Sequence, residues 1–458
     1  MNLTPELLQR YTTERLSARE AQRLAEFIAF GPVVFQVARI MKKWGLLDHL
    51  RQKPEGMTLE ELAQATGRTD YAVKVLLESS LTMGTLLIDP ETMKFRLSKT
   101  GWFLLTDTLT DINMAFNHDV NYEGLFDLET ALEQGRPAGL KHFGPWPTIY
   151  EGLSSLPTEV QKSWFRFDHF YSDTAFDEAL RVVFAQPVNH LLDVGGNTGR
   201  WALRCVAHDE QVRVTIMDLP QQVELMKDFT AGKQGAERIE GCGANLLDAD
   251  TPWPRAHTFD AVWMSQFLDC FSMPQIIGIL TRAADIMSPH TRLYIMETLW
   301  DRQRFETAAF CLTQISLYFT ALANGNSKMY HTDDLLTCID RAGLIVETIH
   351  DNLGHGHSLV VCRKNNQPSL HRFIFMNRTE IEAKVREFLI EDLEVEESAI
   401  SPEANLKDDL GIDSLDFVDI VVIVERKFGF KIKPEEMAGV TTLSQFCDYI
   451  QTKVGDKA

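Results

Sequence analysis

The chain has 458 residues, of which 45% are hydrophobic and 10% aromatic, and a formal net charge of −20. The length suits about three domains, the apolar share excludes general disorder, and the charge excludes general affinity for nucleic acid or an anionic membrane. The opening MNLTPELLQRYTTERL lacks the apolar core of a signal peptide, no apolar run can span a bilayer, and seven cysteines without a CxxC spacing suit reduced thiols, so a cytoplasmic setting is expected.

Residues 1–110 read as a helical bundle closed by a small β element. TLEELAQATGRTDYAVKVLLESSLTMGTL predicts a helix from Thr58, a turn at Gly67 and a second helix capped by Thr69 or Asp70. LLIDPETMKFRLSKTG then alternates like a hairpin around Asp89-Pro90. This is a winged-helix pattern, whose usual partner is DNA. Its charge points elsewhere: between Thr58 and Met83 the only bases are Arg68 and Lys74, against Glu60, Glu61, Asp70 and Glu78. A recognition helix must neutralise phosphates and cannot be net acidic. Dimerisation or coverage of a substrate is the expected role.

Residues 111–187 read as a helical connection rich in aromatics (FGPWPTIYEGL, KSWFRFDHFY), a packed layer whose rings can border a substrate pocket. From residue 188 to 363 strands alternate with helices: NHLLDVGG, VRVTIMDLP, FDAVWMSQFL and RLYIMET, then a strand pair within GLIVETIHDNLGHGHSLVVCR. The order predicts a Rossmann-like, doubly wound α/β sheet. His350, His355 and His357 lie in the turn of that pair and read as polar turn residues rather than a metal site. Residues 364–377 read as a polar linker, and 378–458 as a separate helical unit opened by a capping box of Thr379 and Glu382.

LLDVGGNTGRW carries the strongest enzymatic signal. A strand delivers Asp193, and Gly195, Gly196 and Gly199 turn the backbone into a helix. The spacing is not GxGxxG, which argues against a dinucleotide pyrophosphate. Asp218, in MDLP, ends the next strand roughly 25 positions later, where a carboxylate can accept hydrogen bonds from ribose hydroxyls.

With MDLP, FDAVWMSQFLDCFS and IMETLW, this turn resembles the class I S-adenosylmethionine-dependent O-methyltransferases of the plant caffeate and acetylserotonin type, which carry an N-terminal winged-helix dimerisation domain. The resemblance covers roughly residues 20–363 and implies a homodimer through the N-terminal domain. It further implies that Asp193, Gly195, Gly196, Gly199 and Leu219 border the cofactor and that Asp218 holds its ribose. Asn245 falls where the family has an aspartate near the adenine, and Ser265 where it has a lysine or arginine. Asn197 replaces a family glycine, a tolerable change because asparagine accepts positive φ.

Methyl transfer is a displacement at a carbon already activated by its sulfonium, so it needs no metal; the protein must align the nucleophile and remove its proton. Family members acting on phenols use a histidine base steered by glutamates. Ungapped alignment from Asp260 to Glu297 puts Asp269 at the histidine position, retains Glu297, and leaves Tyr330 for the second glutamate. These three are the expected catalytic residues. An aspartate near its ordinary ~3.9 is a poor base for a phenol near ~10 unless burial raises it or the acceptor is already acidified.

The C-terminal unit is small and acidic, with helix signals at 379–392, 414–428, 434–438 and 443–453, and it carries GIDSLD at the second helix. It resembles a four-helix acyl carrier protein. That resemblance implies covalent 4′-phosphopantetheine on Ser414, and as partners a phosphopantetheinyl transferase and ketosynthase or acyl-loading enzymes. A serine at a helix start is exposed, and its phosphodiester would meet free N–H groups. Asp416, Asp419 and Glu425 offer an acidic docking face, and Val418, Val421, Val422 and Phe428 a buried stripe. The combined expectation is an O-methyltransferase for an aromatic hydroxyl, free or carrier-bound, in polyketide or fatty-acid-like biosynthesis, with aryl polyene or flexirubin-type pigments as a setting by resemblance. Two alternatives stand beside it: a C-methyltransferase on a carrier-bound aryl or acyl carbon, and a non-catalytic dimeric scaffold for the carrier.

Overall fold

The computed structural model describes residues 11–248, 251–254, 258–365, 378–391, 393, 395–412, 420–421, 423–424, 432 and 439–455. Near the N-terminus, helices Ala18–Ala29, Gly31–Lys43, Leu46–Gln52, Leu59–Thr66 and Asp70–Met83 precede the antiparallel hairpin of β1 (Leu86–Ile88) and β2 (Phe95–Leu97). Thr58 starts the fourth helix with a capping box to Glu61, Gly67 ends it at φ 63°, and Thr69 caps the fifth through the Ala72 N–H. Leu50, Leu62, Val73 and Leu77 fill the core beneath the hairpin. The first helix buries none of its residues and leaves Leu24, Phe27 and Ile28 in solvent.

The aromatic connection is a layer of short helices followed by the long helix Thr158–Ser172 and a last helix, Phe176–Val183. Phe116 stacks on Phe167 with centroids 4.0 Å apart and meets Tyr318 edge-on at 5.0 Å. These rings share a core with Leu312, Phe319 and Met329 from helix Glu306–Tyr318 and the turn after it. The layer therefore packs on the end of the α/β unit where the functional site lies.

That unit is built on seven strands: β3 (His190–Val194), β4 (Arg213–Asp218), β5 (Ile239–Gly243), β6 (Ala261–Ser265), β7 (Arg292–Glu297), β8 (Leu344–Leu353) and β9 (His357–Lys364). Their spatial order is β5-β4-β3-β6-β7-β9-β8; β3 to β7 run parallel, and β9 is antiparallel to both β7 and β8. The chain moves outward from β3 to β5 and returns to place β6 on the other side of β3. That reversal opens a crevice above the carboxyl ends of β3 and β6, the place where open α/β sheets bind ligands. One face is covered by Ile276, Leu280 and Leu335, the other by Trp201, Val223 and Met226, and Trp201 stacks on Trp263 at 4.0 Å.

β5 was absent from the strands expected above. Its sequence IEGCG is mostly exposed, and a Cβ on Gly241 would lie 2.4 Å from Val223 Cγ1. An edge strand shaped by close helix packing shows no apolar alternation for a pattern reading to find.

The C-terminal unit contains helices Arg378–Glu391 and Leu443–Gly455, around a core of Ile381, Val385, Phe388, Ile423, Val424, Phe446 and Ile450. Its first helix already includes Arg378, so Thr379 lies within the helix rather than at its cap. Glu382 accepts from Arg378 Nε at 2.5 Å, one turn earlier; the Thr379 side chain of the expected capping box lies outside what the structure describes. Ser414, the acidic residues Asp416, Asp419 and Glu425, the apolar Val418, Val422 and Phe428, and the helix expected at 434–438 lie outside the described residues. Among the described residues, no single helix is long and apolar enough to cross a membrane.

Candidate active site at the carboxyl ends of the strands

Backbone geometry builds the glycine turn first. Gly195 donates to Met217 O at 2.8 Å, holding β3 against β4 as the chain leaves the sheet at φ 76°. A side chain there would be strained, and its Cβ would sit 2.2 Å from the Phe267 ring. A Cβ on Gly196 would lie 2.6 Å from Asp193 Oδ2. Asn197 adopts φ 48°, and Gly199 at φ 81° starts helix Arg200–His208. Asp218 secures the turn by accepting from Asn197 N at 2.9 Å and Leu219 N at 2.7 Å.

The crevice is a cavity of about 510 Å³. Gly195, Asp218, Leu219, Asn245 and Phe267 border one half. Phe116, Trp164, Phe167, Tyr318 and Met329 border the other, with Asp168, Asp269 and Cys270 among them. A smaller chamber of about 80 Å³ shares Gly195 and Asn197 and adds Asp193, Gly196, Ser265 and Arg200. Several polar atoms here are buried without a hydrogen-bond partner in the described structure: Asp193 Oδ2, Asn197 Oδ1, Ser265 Oγ and Gln266 Oε1. Unsatisfied buried acceptors and hydroxyls are costly, so their clustering marks a place for a polar ligand.

Asp269 is 5% exposed and sits on the segment from Phe267 to Phe271, which is pinned at several backbone atoms. Glu297 Oε1, at the end of β7, accepts from Phe267 N at 3.0 Å and Leu268 N at 2.8 Å. Tyr330 donates its hydroxyl to Phe271 O at 2.5 Å, and Asn324 Nδ2 donates to Cys270 O at 2.5 Å. Of the three expected catalytic residues, only Asp269 borders the cavity; Glu297 and Tyr330 stand behind it and fix the loop. Among the expected cofactor residues, Gly199 borders neither space and acts through the turn.

Burial sets the electrostatics. It pushes the Asp269 carboxyl up to about 6, against the pull of the Cys270 thiol and nearby backbone donors. Burial raises Asp218 to about 6, opposed by the Asn197 and Leu219 N–H groups. Asp193 and Glu297 are pushed well above the carboxylate range, chiefly by burial, then by the charges of Asp218 and Asp269 respectively. Asp168 was not among the expected residues. Burial, then the charges of Asp269 and Asp173, raises it to about 7, while Arg200 pulls the other way. Its helical segment KSWFRFDHFY reads as a packed layer, and only the tertiary fold brings it opposite Asp269.

Three family models match in chain order: a Dimerisation2-like domain over residues 22–95, an O-methyltransferase domain over 152–343 and a phosphopantetheine attachment site over 383–450. The acyl carrier protein of Thermotoga maritima is 42% identical over 79 residues, 17% of this chain and 98% of its own length. That of Rubrobacter xylanophilus is 40% identical over 75 residues, 16% of this chain and 93% of its own. Among solved structures, the mitomycin 7-O-methyltransferase MmcR aligns with a TM-score of 0.57 at 18% identity, covering 75% of this chain and 98% of that one. The apo S-adenosylmethionine-dependent methyltransferase SibL gives 0.56 at 22%, covering 74% and 98%. Human N-acetylserotonin methyltransferase, solved with S-adenosylmethionine, gives 0.51 at 19%, covering 77% and 100%. At these identities the structures establish the fold. The C-terminal segment belongs to the acyl carrier protein family, and the chain before it carries an O-methyltransferase domain behind a dimerisation-like domain. The protein is an enzyme of the methyltransferase class fused to a carrier with a phosphopantetheine attachment site.

Proposed function

We propose that the enzyme transfers a methyl group from S-adenosylmethionine to the hydroxyl of an aromatic acceptor handled in carrier-dependent biosynthesis. The observation that carries this reading is one continuous cavity bordered by Asp218 and the glycine turn in one half and by aromatic rings with Asp269 among them in the other.

The unsatisfied polar atoms fit the cofactor. Asp218 is placed to accept from its ribose hydroxyls, Leu219 and Asn245 border the adenine end, and Asp193, Gly195, Gly196 and Ser265 the amino-acid end. Once bound, the cofactor supplies a methyl group on a positively charged sulfur, an electrophile that needs no further activation. The chain does the rest. Phe116, Trp164, Phe167 and Tyr318 orient the acceptor ring and exclude water. Asp269 takes the hydroxyl proton, with Glu297 and Tyr330 as positioning residues that hold its loop. A rigid base within reach of the acceptor is worth far more than the same group free in water. Phosphopantetheine on Ser414 would carry acyl groups as thioesters, and loading requires a phosphopantetheinyl transferase and acyl-loading enzymes such as a ketosynthase. Aryl polyene or flexirubin-type pigment assembly would supply such acceptors.

S-adenosylmethionine and its demethylated product should bind in isothermal calorimetry, and Asp218→Ala should weaken both by about 1–3 kcal/mol through lost hydrogen bonds to a carboxylate. No heat of binding from the wild type would remove the cofactor assignment and with it the transferase mechanism.

The N-terminal domain is proposed to pair two chains through Leu24, Phe27 and Ile28, which the folded chain leaves uncovered. Ile28→Glu should lower the sedimentation mass from dimer toward monomer. An unchanged dimer would place the interface elsewhere.

A further inference from the structure

The charged residues that border the main cavity are Glu151, Asp168, Asp218 and Asp269; among the described lining residues there is no lysine, arginine or histidine. An enclosure with an aromatic wall and only carboxylates for charge is selective before any particular acceptor is considered. A second carboxylate brought inside would lose its water and meet like charges in a medium that screens them poorly.

The nearest cations relieve this only in part, and from outside the main cavity: Arg200 acts on Asp168 alone of the cavity's two inner carboxylates. Arg200 faces the smaller chamber, where Nη1 is paired with Asp173 at 2.5 Å. His169 borders that same chamber and its Nδ1 lies 3.8 Å from Asp168 Oδ2, but burial, then the charge of Arg200, holds its proton affinity below that of an ordinary imidazole and disfavours the cationic form. Two of the neutral donors are engaged as well, whereas the buried Tyr150 hydroxyl has no hydrogen-bond partner among the described residues. Asn324 Nδ2 is spent on Cys270 O at 2.5 Å and Ser327 Oγ at 2.9 Å. Trp164 Nε1 donates to Tyr318 O–H at 2.7 Å. A carboxylate in the ring-lined half would find two carboxylates and π faces, with no more than the neutral hydroxyls of Tyr150 and Tyr318 to compensate it.

Building on the aromatic-hydroxyl reading above, we infer that the cavity admits its acceptor with the carboxyl group masked, as a thioester, ester or amide, and rejects the free aromatic acid. Asp168 and Asp269 are the discriminating groups: both border the main cavity, whose described lining holds no cation, and the two basic side chains that act on Asp168, Arg200 and His169, lie on the smaller chamber behind it. Neither group need touch the masked carbonyl. The selectivity comes from repulsion of the unmasked one, a specificity built by penalising the wrong ligand. The thioester made by a phosphopantetheine arm is uncharged, so this preference would couple methyl transfer to loading on a carrier without any contact between the two domains.

The test is equilibrium binding to the full chain, with S-adenosylhomocysteine bound first. Three probes sharing one phenol are titrated at pH 8: 4-hydroxybenzoate, its methyl ester and its N-acetylcysteamine thioester. The ester and thioester should bind at least tenfold more tightly than the acid. Asp168→Asn should narrow that ratio severalfold by strengthening acid binding, while Asp168→Glu should keep it. A ratio within the same protein sample is insensitive to partial loss of folded material. If S-adenosylhomocysteine does not bind, the transferase reading fails on its own account. If it binds but the acid binds as well as its ester, or none of the three probes binds, the masked-acid inference is overturned.

Discussion

Asp269→Asn should lower turnover by about 10²-fold or more with little change in cofactor affinity, because asparagine keeps the shape of the side chain and cannot take a proton. Burial makes the aspartate a useful base by raising it to about 6. It is still ionised at neutral pH and holds a proton better than an ordinary carboxylate does. The wild-type rate should therefore fall as the pH drops through about 6, where the carboxylate is protonated. Stability runs the other way. The folded protein binds this proton more tightly than the unfolded chain, so the group favours folding most at low pH and loses that contribution as the pH rises through about 6. Asp269→Asn should accordingly melt no lower than the wild type at pH 8. Loss of activity together with retained or raised Tm separates a missing base from a damaged fold. Near-normal turnover in the variant would transfer the proton-accepting role to another group, with Asp168 the nearest candidate in the same half of the cavity.

Much of this site was legible along the chain because its parts sit at strand ends, where sequence and space coincide. Asp193, Asp218, Ser265 and Glu297 each end or nearly end a parallel strand, so alternation of apolar strands and helices was enough to bring them to one edge. What the pattern could not give was depth. Glu297 was expected to steer Asp269; its Oε1 is used on the Phe267 and Leu268 N–H groups, while Oε2 is buried without a partner among the described residues and the charge of Asp269 acts on the carboxyl. Tyr330 likewise spends its hydroxyl on the Phe271 carbonyl. Both observations concern where a side chain points, which spacing does not encode. Asp168 was hidden for a different reason. It belongs to a helix from another layer, and its approach to the cavity depends on Phe116, Phe167 and Tyr318 packing together across long sequence separations. The edge strand β5 was missed because its glycines serve close packing, Gly241 against Val223 and Gly243 against Pro220, rather than any apolar stripe. In the carrier, by contrast, the short GIDSLD stretch pointed to the family without any fold around it.

Ser414→Ala should abolish attachment of phosphopantetheine. Incubation of the wild type with coenzyme A and a promiscuous phosphopantetheinyl transferase should add one phosphopantetheine mass per chain in intact-mass spectrometry, and the alanine chain should gain none. The approach to the serine is well braced: Ile412 is buried and donates its N–H to Leu406 O at 3.0 Å, and Leu410 donates to Asn405 O at 3.1 Å. Beyond it, Ile420, Ile423 and Val424 are buried in the same core. Removing a hydroxyl from this frame takes away at most a helix cap, a loss of about 0.5–2 kcal/mol, so the variant should remain folded. The acidic residues Asp416, Asp419 and Glu425 should speed encounter with a basic transferase, and added salt should slow the wild-type reaction. Methylation of a free phenolic ester should survive Ser414→Ala, because no carrier residue borders the catalytic cavity among the described residues. Methylation of an acceptor tethered to the same chain should be lost. Equal mass gain by the two proteins would move the attachment to another hydroxyl; loss of the free-ester reaction in the alanine chain would mean that the carrier domain takes part in catalysis beyond presenting its cargo.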